Sequence, residues 1–218
     1  MIDHHLTPNW TSSALLTIDV QRDFLSDAPY GVAGTTELLP AMAELAAAFR
    51  RAGRPIVHIV RLYHPDGHDA DLVRRSLLAS GARIVLPGSE GSALAEPLLP
   101  PDAPPLDADL LLSGRPQRLG PQEYALFKPR WGAFYRTPLD EILRDWEVDT
   151  LVVAGCNFPN CPRATLIEGS ERDYRLVLAE DAVSRLTSGG CDEIRGLGVT
   201  LAAAGAIAAA LDAERSTV

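Results

Sequence analysis

The chain has 218 residues, of which 46% are hydrophobic and 22% are charged, a composition typical of folded globular proteins. Acidic residues exceed basic residues by 29 to 20, and a net charge of −9 argues against binding to nucleic acid or to anionic membranes. The longest apolar stretch, 199–211, is shorter than the roughly 20 residues of a membrane span. With three cysteines and no leader-like segment at its start, the chain is expected to be cytoplasmic.

The first third of the chain alternates predicted strands with predicted helices. Residues 14–20 are a mostly apolar run, typical of a buried parallel strand. Residues 37–52 carry apolar side chains at helical spacing and are followed by a glycine stop signal. A second apolar run predicts a strand at 55–60, and residues 71–80 predict a short helix.

Residues 87–121 are rich in proline and glycine and resemble a linker in composition. The apolar runs at 110–112 and 124–127 nevertheless predict short strands in this region. We therefore interpret 87–121 as an excursion over the surface of one domain, and predict that residues 1–218 form a single domain.

The last third returns to regular alternation. In chain order it predicts a helix at 138–146, a strand at 150–154, a helix at 162–173, a strand at 174–178, a long helix at 192–204 and a short edge strand at 206–207. Strands that alternate with helices imply βαβ units, a mostly parallel sheet and an α/β fold of the Rossmann-like type.

Ligands of open parallel sheets bind beyond the carboxyl ends of the strands. Asp19 lies at the end of the first predicted strand, Lys128 ends an apolar run, and Cys161 follows the strand at 150–154. Lys128 is the single lysine among 20 basic residues, and arginine does not replace an ammonium that must be packed closely. An acid, a lysine and a thiol are thus expected at one edge of the sheet.

Cys161 is the strongest candidate for a nucleophile. It opens a predicted helix, and Pro162 suits the first helical turn. Unpaired N–H groups and the helix dipole favour the thiolate there, and the same N–H groups can hold an oxyanion. Asp19 would act as the base and Lys128 as the orienting cation. Cys156 and Cys191 are interpreted as packing residues.

Three histidines raise the alternative of a metal site. His58, His64 and His68 lie close together in sequence, with Asp66 and Asp69 nearby, and such donors suit zinc. However, a histidine inside an apolar strand is typically a hydrogen-bonded core residue, and the segment HPDGHDAD is typical of a polar turn. We favour a site with no metal and no cofactor.

Aromatic side chains in loops after strands often form the wall of a pocket for a small molecule. The candidates, together with the loop residue Asn160, are Phe24, Tyr63, Trp131, Tyr135 and Phe158.

The chain resembles the isochorismatase-like cysteine hydrolase superfamily over roughly residues 14–211, and three motifs carry this resemblance. They are IDVQRDF with Asp19, KPRWGAF with Lys128 and AGCNFPNCPRAT with Cys161, and the later stretch SERDYRLVLAEDAVS also fits. The resemblance implies a three-layer α/β/α sandwich and a Cys-Asp-Lys triad. It also implies hydrolysis of an amide-like C–N bond through a thioester, and assembly as a dimer or tetramer.

The resemblance further implies a cis peptide bond between Cys156 and Asn157, which would direct the N–H groups of Asn157 and Cys161 at the oxyanion. The Asp-x-His metal motif of the nicotinamidase branch reads Leu-Tyr-His at residues 62–64, so its acid is missing. Two alternatives stay open: a non-catalytic protein that binds a small molecule or docks a partner, and a metal-assisted nicotinamidase.

Overall fold

The computed structural model describes residues 4–215, which contain one seven-stranded sheet. Its strands, in chain order, are β1 (Ser13–Ile18), β2 (Ile56–Val60), β3 (Gln117–Gly120), β4 (Glu123–Phe127), β5 (Thr150–Gly155), β6 (Arg175–Val183) and β7 (Thr200–Ala202). The order across the sheet is β3-β4-β2-β1-β5-β6-β7. All neighbouring strands are parallel except β3 and β4, so the sheet is mostly parallel, as predicted.

The helices lie on both faces of this sheet. They are α1 (Leu39–Ala52), α2 (Leu72–Ala79), α3 (Ala108–Leu112), α4 (Leu139–Asp145), α5 (Cys161–Ser170), α6 (Ser188–Gly196) and α7 (Ala204–Arg215). No helix among the described residues is both long and apolar enough to cross a membrane.

Alternate residues of the central strands supply two separate hydrophobic cores. Leu16 of β1 and Val153 of β5 pack with α4, α5 and α6, whereas Leu15 and Val152 pack with α1 and α7. Successive side chains of a strand point to opposite faces, so strands buried on both faces must be apolar almost throughout. The result is a three-layer α/β/α sandwich, which confirms the predicted fold class.

Two elements in the Pro/Gly-rich excursion differ from the prediction. Residues 110–112 are not a strand but belong to helix α3, because the Asp107 side chain accepts a hydrogen bond from the Leu110 N–H at 3.0 Å and caps the helix. The edge strand is β3, which pairs antiparallel with β4. The C-terminal part of the excursion therefore belongs to the sheet, as its edge strand β3.

The C-terminal region also differs. The helix predicted at 192–204 ends at Gly196, and Gly198 adopts a left-handed φ of 79°. Thr200–Ala202 instead forms the edge strand β7, while residues 206–207 lie in helix α7. Asp181 of the neighbouring strand β6 accepts a hydrogen bond from the Ala204 N–H at 2.8 Å, so a tertiary contact fixes the start of α7.

Candidate active site

Asp19 directly follows β1 at the carboxyl edge of the sheet. Its φ of 53° is left-handed, which is uncommon for a residue with a side chain, and its N–H donates to the Ile59 carbonyl at 2.9 Å. The residue is 4% exposed. Strained backbone of this kind concentrates at functional sites, where the surrounding structure holds it in place.

Lys128 follows β4 and is 1% exposed. Its ammonium lies 2.8 Å from Asp19 Oδ2, 3.1 Å from the Arg130 carbonyl oxygen and 3.4 Å from Cys161 Sγ. An ammonium has three N–H donors, and these three neighbours account for all of them. The structure therefore brings the predicted acid, lysine and thiol together.

Cys161 is the first residue of α5, which the chain enters through a tight turn after β5. Gly155 ends β5 with a φ of 119°, and a Cβ there would lie 2.3 Å from the Ile18 carbonyl oxygen. The Cys156 N–H donates to that same oxygen at 2.8 Å. This close backbone approach needs glycine, and it fixes the turn against the residue that precedes Asp19.

The turn contains the predicted cis peptide bond between Cys156 and Asn157. Within residues 4–215, the backbone N–H groups of Asn157 and Cys161 donate to no protein acceptor. Two unpaired amides therefore lie in the turn that carries the thiol.

The charges in the site act on one another strongly. Burial by itself lowers the pKa of the Lys128 ammonium, but the Asp19 carboxylate outweighs this effect and holds the pKa above its usual range. Burial raises the pKa of the Cys161 thiol, and the Asp19 carboxylate raises it further, against the opposing effect of Lys128. The expected lowering of the Cys161 pKa by the helix terminus is thus wrong, because desolvation and Asp19 dominate.

A narrow, open cleft adjoins these three residues. Four predicted pocket residues line it: Phe24, Tyr63, Trp131 and Asn160. Two others do not. Phe158 is 3% exposed and packs in the core beneath α5 and α6, and Tyr135 is 44% exposed on the surface with Arg136 over its ring.

The cleft also contains residues that the sequence analysis missed. Arg61, Asp71 and Arg74 line it, together with Val32 and Cys156. Arg61 immediately follows β2, so the rule that strand ends form the site would have found it. Burial raises the pKa of the Cys156 thiol to about 12, with a further contribution from Asp19.

The histidines do not form a metal site. His58 is buried between Thr17 Oγ1 and Glu123 Oε1, each 2.7 Å from a ring nitrogen, which confirms its interpretation as a hydrogen-bonded core residue. His68 Nδ1 lies 2.6 Å from Asp66 Oδ1 at an exposed turn. In the described part of the chain, no group of three or more His, Cys, Asp or Glu residues is arranged to hold a metal ion. The residues present therefore do not fit the metal of the nicotinamidase branch.

Comparison with known proteins agrees with this geometry. Residues 13–195 match the model of the isochorismatase domain. A probable inactive nicotinamidase from Arabidopsis thaliana is 28% identical over 185 residues, covering 84% of this chain and 85% of the relative. The ureidoacrylate amidohydrolase RutB from Klebsiella pneumoniae subsp. pneumoniae is 30% identical over 184 residues, covering 78% of this chain and 72% of the relative.

Solved structures give the same result. The crystal structure of an isochorismatase family protein from Desulfovibrio vulgaris subsp. vulgaris str. Hildenborough superposes with a TM-score of 0.77 at 32% sequence identity, covering 92% of this chain and 98% of that chain. With a family model that spans most of the chain and a solved relative of the same fold, the chain belongs to the isochorismatase family of hydrolases.

Proposed function

We propose that this protein is a cysteine hydrolase that cleaves an amide-like C–N bond of a small molecule. In this proposal Cys161 is the nucleophile, Asp19 the general base and Lys128 the cation that holds both. The observation that carries it is the position of the Lys128 ammonium, 2.8 Å from Asp19 Oδ2 and 3.4 Å from Cys161 Sγ. Because the ammonium contacts both groups, the carboxylate lies beside the thiol. Burial raises the pKa of the Cys161 thiol, and the charge and hydrogen bond of Asp19 raise it further. A carboxylate in that position can take the thiol proton and return it later.

The first half of the reaction forms a thioester. Asp19 takes the proton from Cys161, the sulfur bonds to the carbonyl carbon, and the C=O electron pair moves onto oxygen. When the C=O bond reforms, the C–N bond breaks and the proton on Asp19 passes to the leaving nitrogen. Asp19 Oδ1 is buried and has no hydrogen-bond partner in the described residues, so it is free to accept this proton.

The second half consumes water. A water molecule attacks the thioester carbon and its proton goes to Asp19. The C–S bond then breaks, and Asp19 passes that proton to the departing sulfur, which restores the Cys161 thiol and releases the acid. In both halves negative charge develops on the carbonyl oxygen. The N–H groups of Asn157 and Cys161, which have no acceptor in the described protein, are the donors proposed for that oxygen.

The raised pKa of the Cys161 thiol fits this assignment. A thiol that is neutral at rest is a weak nucleophile and depends on a base in contact with it. The proposal therefore makes Asp19 indispensable, not a residue that merely tunes the rate.

The test is direct detection of the acyl-enzyme. The protein is mixed with a panel of small amides and ureido compounds, quenched in acid and analysed by mass spectrometry. We expect an added acyl mass on the peptide containing Cys161, its absence in Cys161→Ala, and its retention in the control Cys191→Ala. Turnover of the same substrate by Cys161→Ala would refute the mechanism.

The alternative is a member of the fold that binds small molecules or docks a partner without turnover. The similarity to a relative named a probable inactive nicotinamidase motivates it. Ligand binding with no acyl mass and no product across the panel would favour this alternative.

Three further predictions belong to this proposal: residues 1–218 form a single domain, the protein is cytoplasmic, and it assembles as a dimer or tetramer. The free thiols of Cys156, Cys161 and Cys191 agree with a reducing compartment. Exposed apolar side chains at Leu72 and Val73 offer surface for assembly. A monomeric mass by light scattering at micromolar concentration would exclude the oligomer.

A further inference from the structure

The loop that follows β4, residues 128–138, packs against the helix that begins with Cys161. This β4–α4 loop starts with Lys128 and carries Trp131, which lines the cleft. Helix α5 starts with Cys161, so the ammonium and the thiol reach the site from positions 33 residues apart in the chain. The distance between the two groups therefore depends on how the loop is held against α5.

Thr165 lies one turn after Cys161 and joins the two segments through one hydroxyl group. Its Oγ1 donates to the Cys161 carbonyl oxygen at 2.8 Å and accepts from the Ala133 N–H at 3.2 Å. A hydroxyl has one donor and two acceptor lone pairs, so a single atom can make both contacts. The residue is 0% exposed, and an aliphatic side chain of the same shape would leave the Ala133 N–H buried without this acceptor.

Glu168, one turn further along α5, makes a second contact with the same loop. Its Oε2 accepts from the Phe134 N–H at 2.9 Å, and its carboxylate lies against Gly132, where a Cβ would be 2.2 Å from the carboxylate carbon. Burial raises the pKa of Glu168, and the hydrogen bond from the Phe134 amide opposes this rise. Because Thr165 and Glu168 are three positions apart, they share one face of the helix.

The same loop holds the Lys128 ammonium. The Arg130 carbonyl oxygen accepts from Lys128 Nζ at 3.1 Å, and Arg130 lies three residues before Ala133. Lys128 lowers the pKa of the Cys161 thiol, against the larger effects of burial and of Asp19. A Coulomb interaction weakens with distance, so a wider gap between the loop and α5 would leave the thiol more protonated.

We propose that Thr165 and Glu168 are positioning residues, which set the distance between the Lys128 ammonium and the Cys161 sulfur by holding the β4–α4 loop against α5. Neither residue belongs to the described lining of the cleft, so both act through the two reactive groups and not on the substrate. Their importance for turnover rests on the proposed function, but their effect on the Cys161 thiol can be measured without a substrate.

The test is the rate at which iodoacetamide labels Cys161 at pH 8, followed by peptide mass spectrometry. Valine keeps the shape of Thr165 without the hydroxyl, whereas serine keeps the hydroxyl. We expect Thr165→Val to be labelled at least about threefold more slowly than the parent protein, the effect of a rise of about half a unit in the thiol pKa, and Thr165→Ser to stay within about twofold. Equal or faster labelling in Thr165→Val, or the same loss in Thr165→Ser, would overturn the proposal.

Thr137→Val is the matched control within the same loop. Thr137 Oγ1 donates to the Ala133 carbonyl oxygen at 2.6 Å and accepts from the Leu139 N–H at 3.3 Å, so it stabilises the loop without contacting α5. We expect this variant to be labelled at the rate of the parent protein. An equal slowing in Thr137→Val and Thr165→Val would show that any loosening of the loop has this effect, and would contradict a specific role of the contact with α5.

Glu168 is tested with two variants in the same assay. Glu168→Gln keeps a side-chain carbonyl oxygen for the Phe134 N–H and should be labelled at the rate of the parent protein, whereas Glu168→Leu removes the acceptor and should be labelled more slowly. Equal rates for the two variants would contradict the role of Glu168. Circular dichroism establishes that each variant is folded, and the Glu168 pair decides the outcome if Thr165→Val does not fold.

The positioning role and the proposed hydrolysis fail separately. Slower labelling of Thr165→Val, with no acyl-enzyme from any amide in the parent protein, supports the positioning role and removes the catalytic proposal. An acyl-enzyme in the parent protein, with unchanged labelling in Thr165→Val and Glu168→Leu, does the reverse.

Discussion

Asp19 Oδ2 and Lys128 Nζ lie 2.8 Å apart in a site where both residues are almost completely buried. They come from strands on opposite sides of β2, and the ammonium also contacts Cys161 Sγ. A buried ion pair stabilises little relative to a well-packed apolar pair, but loss of one member leaves an uncompensated charge. The retention of this pair in the core points to a role in chemistry.

Replacement of Lys128 alone should destabilise the protein more than replacement of both Lys128 and Asp19. Lys128→Met leaves Asp19 buried without its partner, and we expect the free energy of unfolding to fall by about 3–5 kcal/mol, measured by urea denaturation. The double variant Lys128→Met/Asp19→Leu should recover much of that loss but no activity. A single variant that is as stable as the parent would show that the pair is not buried as described.

Lys128→Arg tests why this position is a lysine. A planar guanidinium cannot reproduce a compact ammonium that meets three acceptors, so we expect hydrolysis to be lost although the charge is kept. Steady-state kinetics on the substrate identified by acyl-enzyme detection provides the measurement, and Arg118→Lys is a surface control. Near-normal turnover of Lys128→Arg would contradict the geometric requirement.

Alkylation of Cys161 should depend on pH in a particular direction. Because burial and Asp19 raise the thiol pKa, iodoacetamide should label Cys161 slowly near neutral pH, and the labelling rate should keep rising as the pH is raised through the alkaline range. Asp19→Asn removes the charge that favours the protonated thiol, so labelling of Cys161 at pH 8 should accelerate. Peptide mass spectrometry measures the labelling of Cys161 separately from that of Cys191, which serves as the internal reference. Slower labelling of Cys161 in Asp19→Asn than in the parent protein would contradict the electrostatic account.

The buried thiol of Cys156 should make the protein sensitive to alkali. Its pKa is raised from 9.0 to about 12, so between these values the unfolded chain has released a proton that the folded chain keeps. Stability from this group is fully present below pH 9 and is lost as the pH rises towards 12, at up to about 1.4 kcal/mol per pH unit. Cys156→Ala should flatten the fall in unfolding free energy between pH 9 and 10.5, and an unchanged slope would exclude the effect.

Gly155 should tolerate no side chain. A Cβ there would lie 2.3 Å from the Ile18 carbonyl oxygen, at a φ of 119°. We expect Gly155→Ala to lower the free energy of unfolding by about 2 kcal/mol or more. Gly189→Ala in α6 is the matched control, because a Cβ there meets nothing within 4 Å, and it should be neutral or slightly stabilising. Equal denaturation midpoints for the two variants would contradict the close approach of β5 to β1.

The sequence by itself determined the alternation of strands and helices, and with it the parallel sheet and the edge at which Asp19, Lys128 and Cys161 meet. Apolar runs that end in reactive residues carry this information, because a parallel sheet collects the carboxyl ends of its strands at one edge. The cis peptide bond between Cys156 and Asn157 was expected only from the resemblance of these motifs to a known family, and the structure contains it.

Only the tertiary structure decided the remaining features. Helix α7 begins where Asp181 accepts a hydrogen bond from the Ala204 N–H. The helix propensity of residues near 204 cannot predict a hydrogen bond to a residue so distant in sequence. Phe158 lies in the core and not in the cleft, because the direction of its ring depends on packing beneath α6. The rise in the Cys161 pKa depends on burial and on charges brought from distant segments. Desolvation and Coulomb interactions act through space, so the residues that set the chemistry of the cleft become neighbours only when the chain folds.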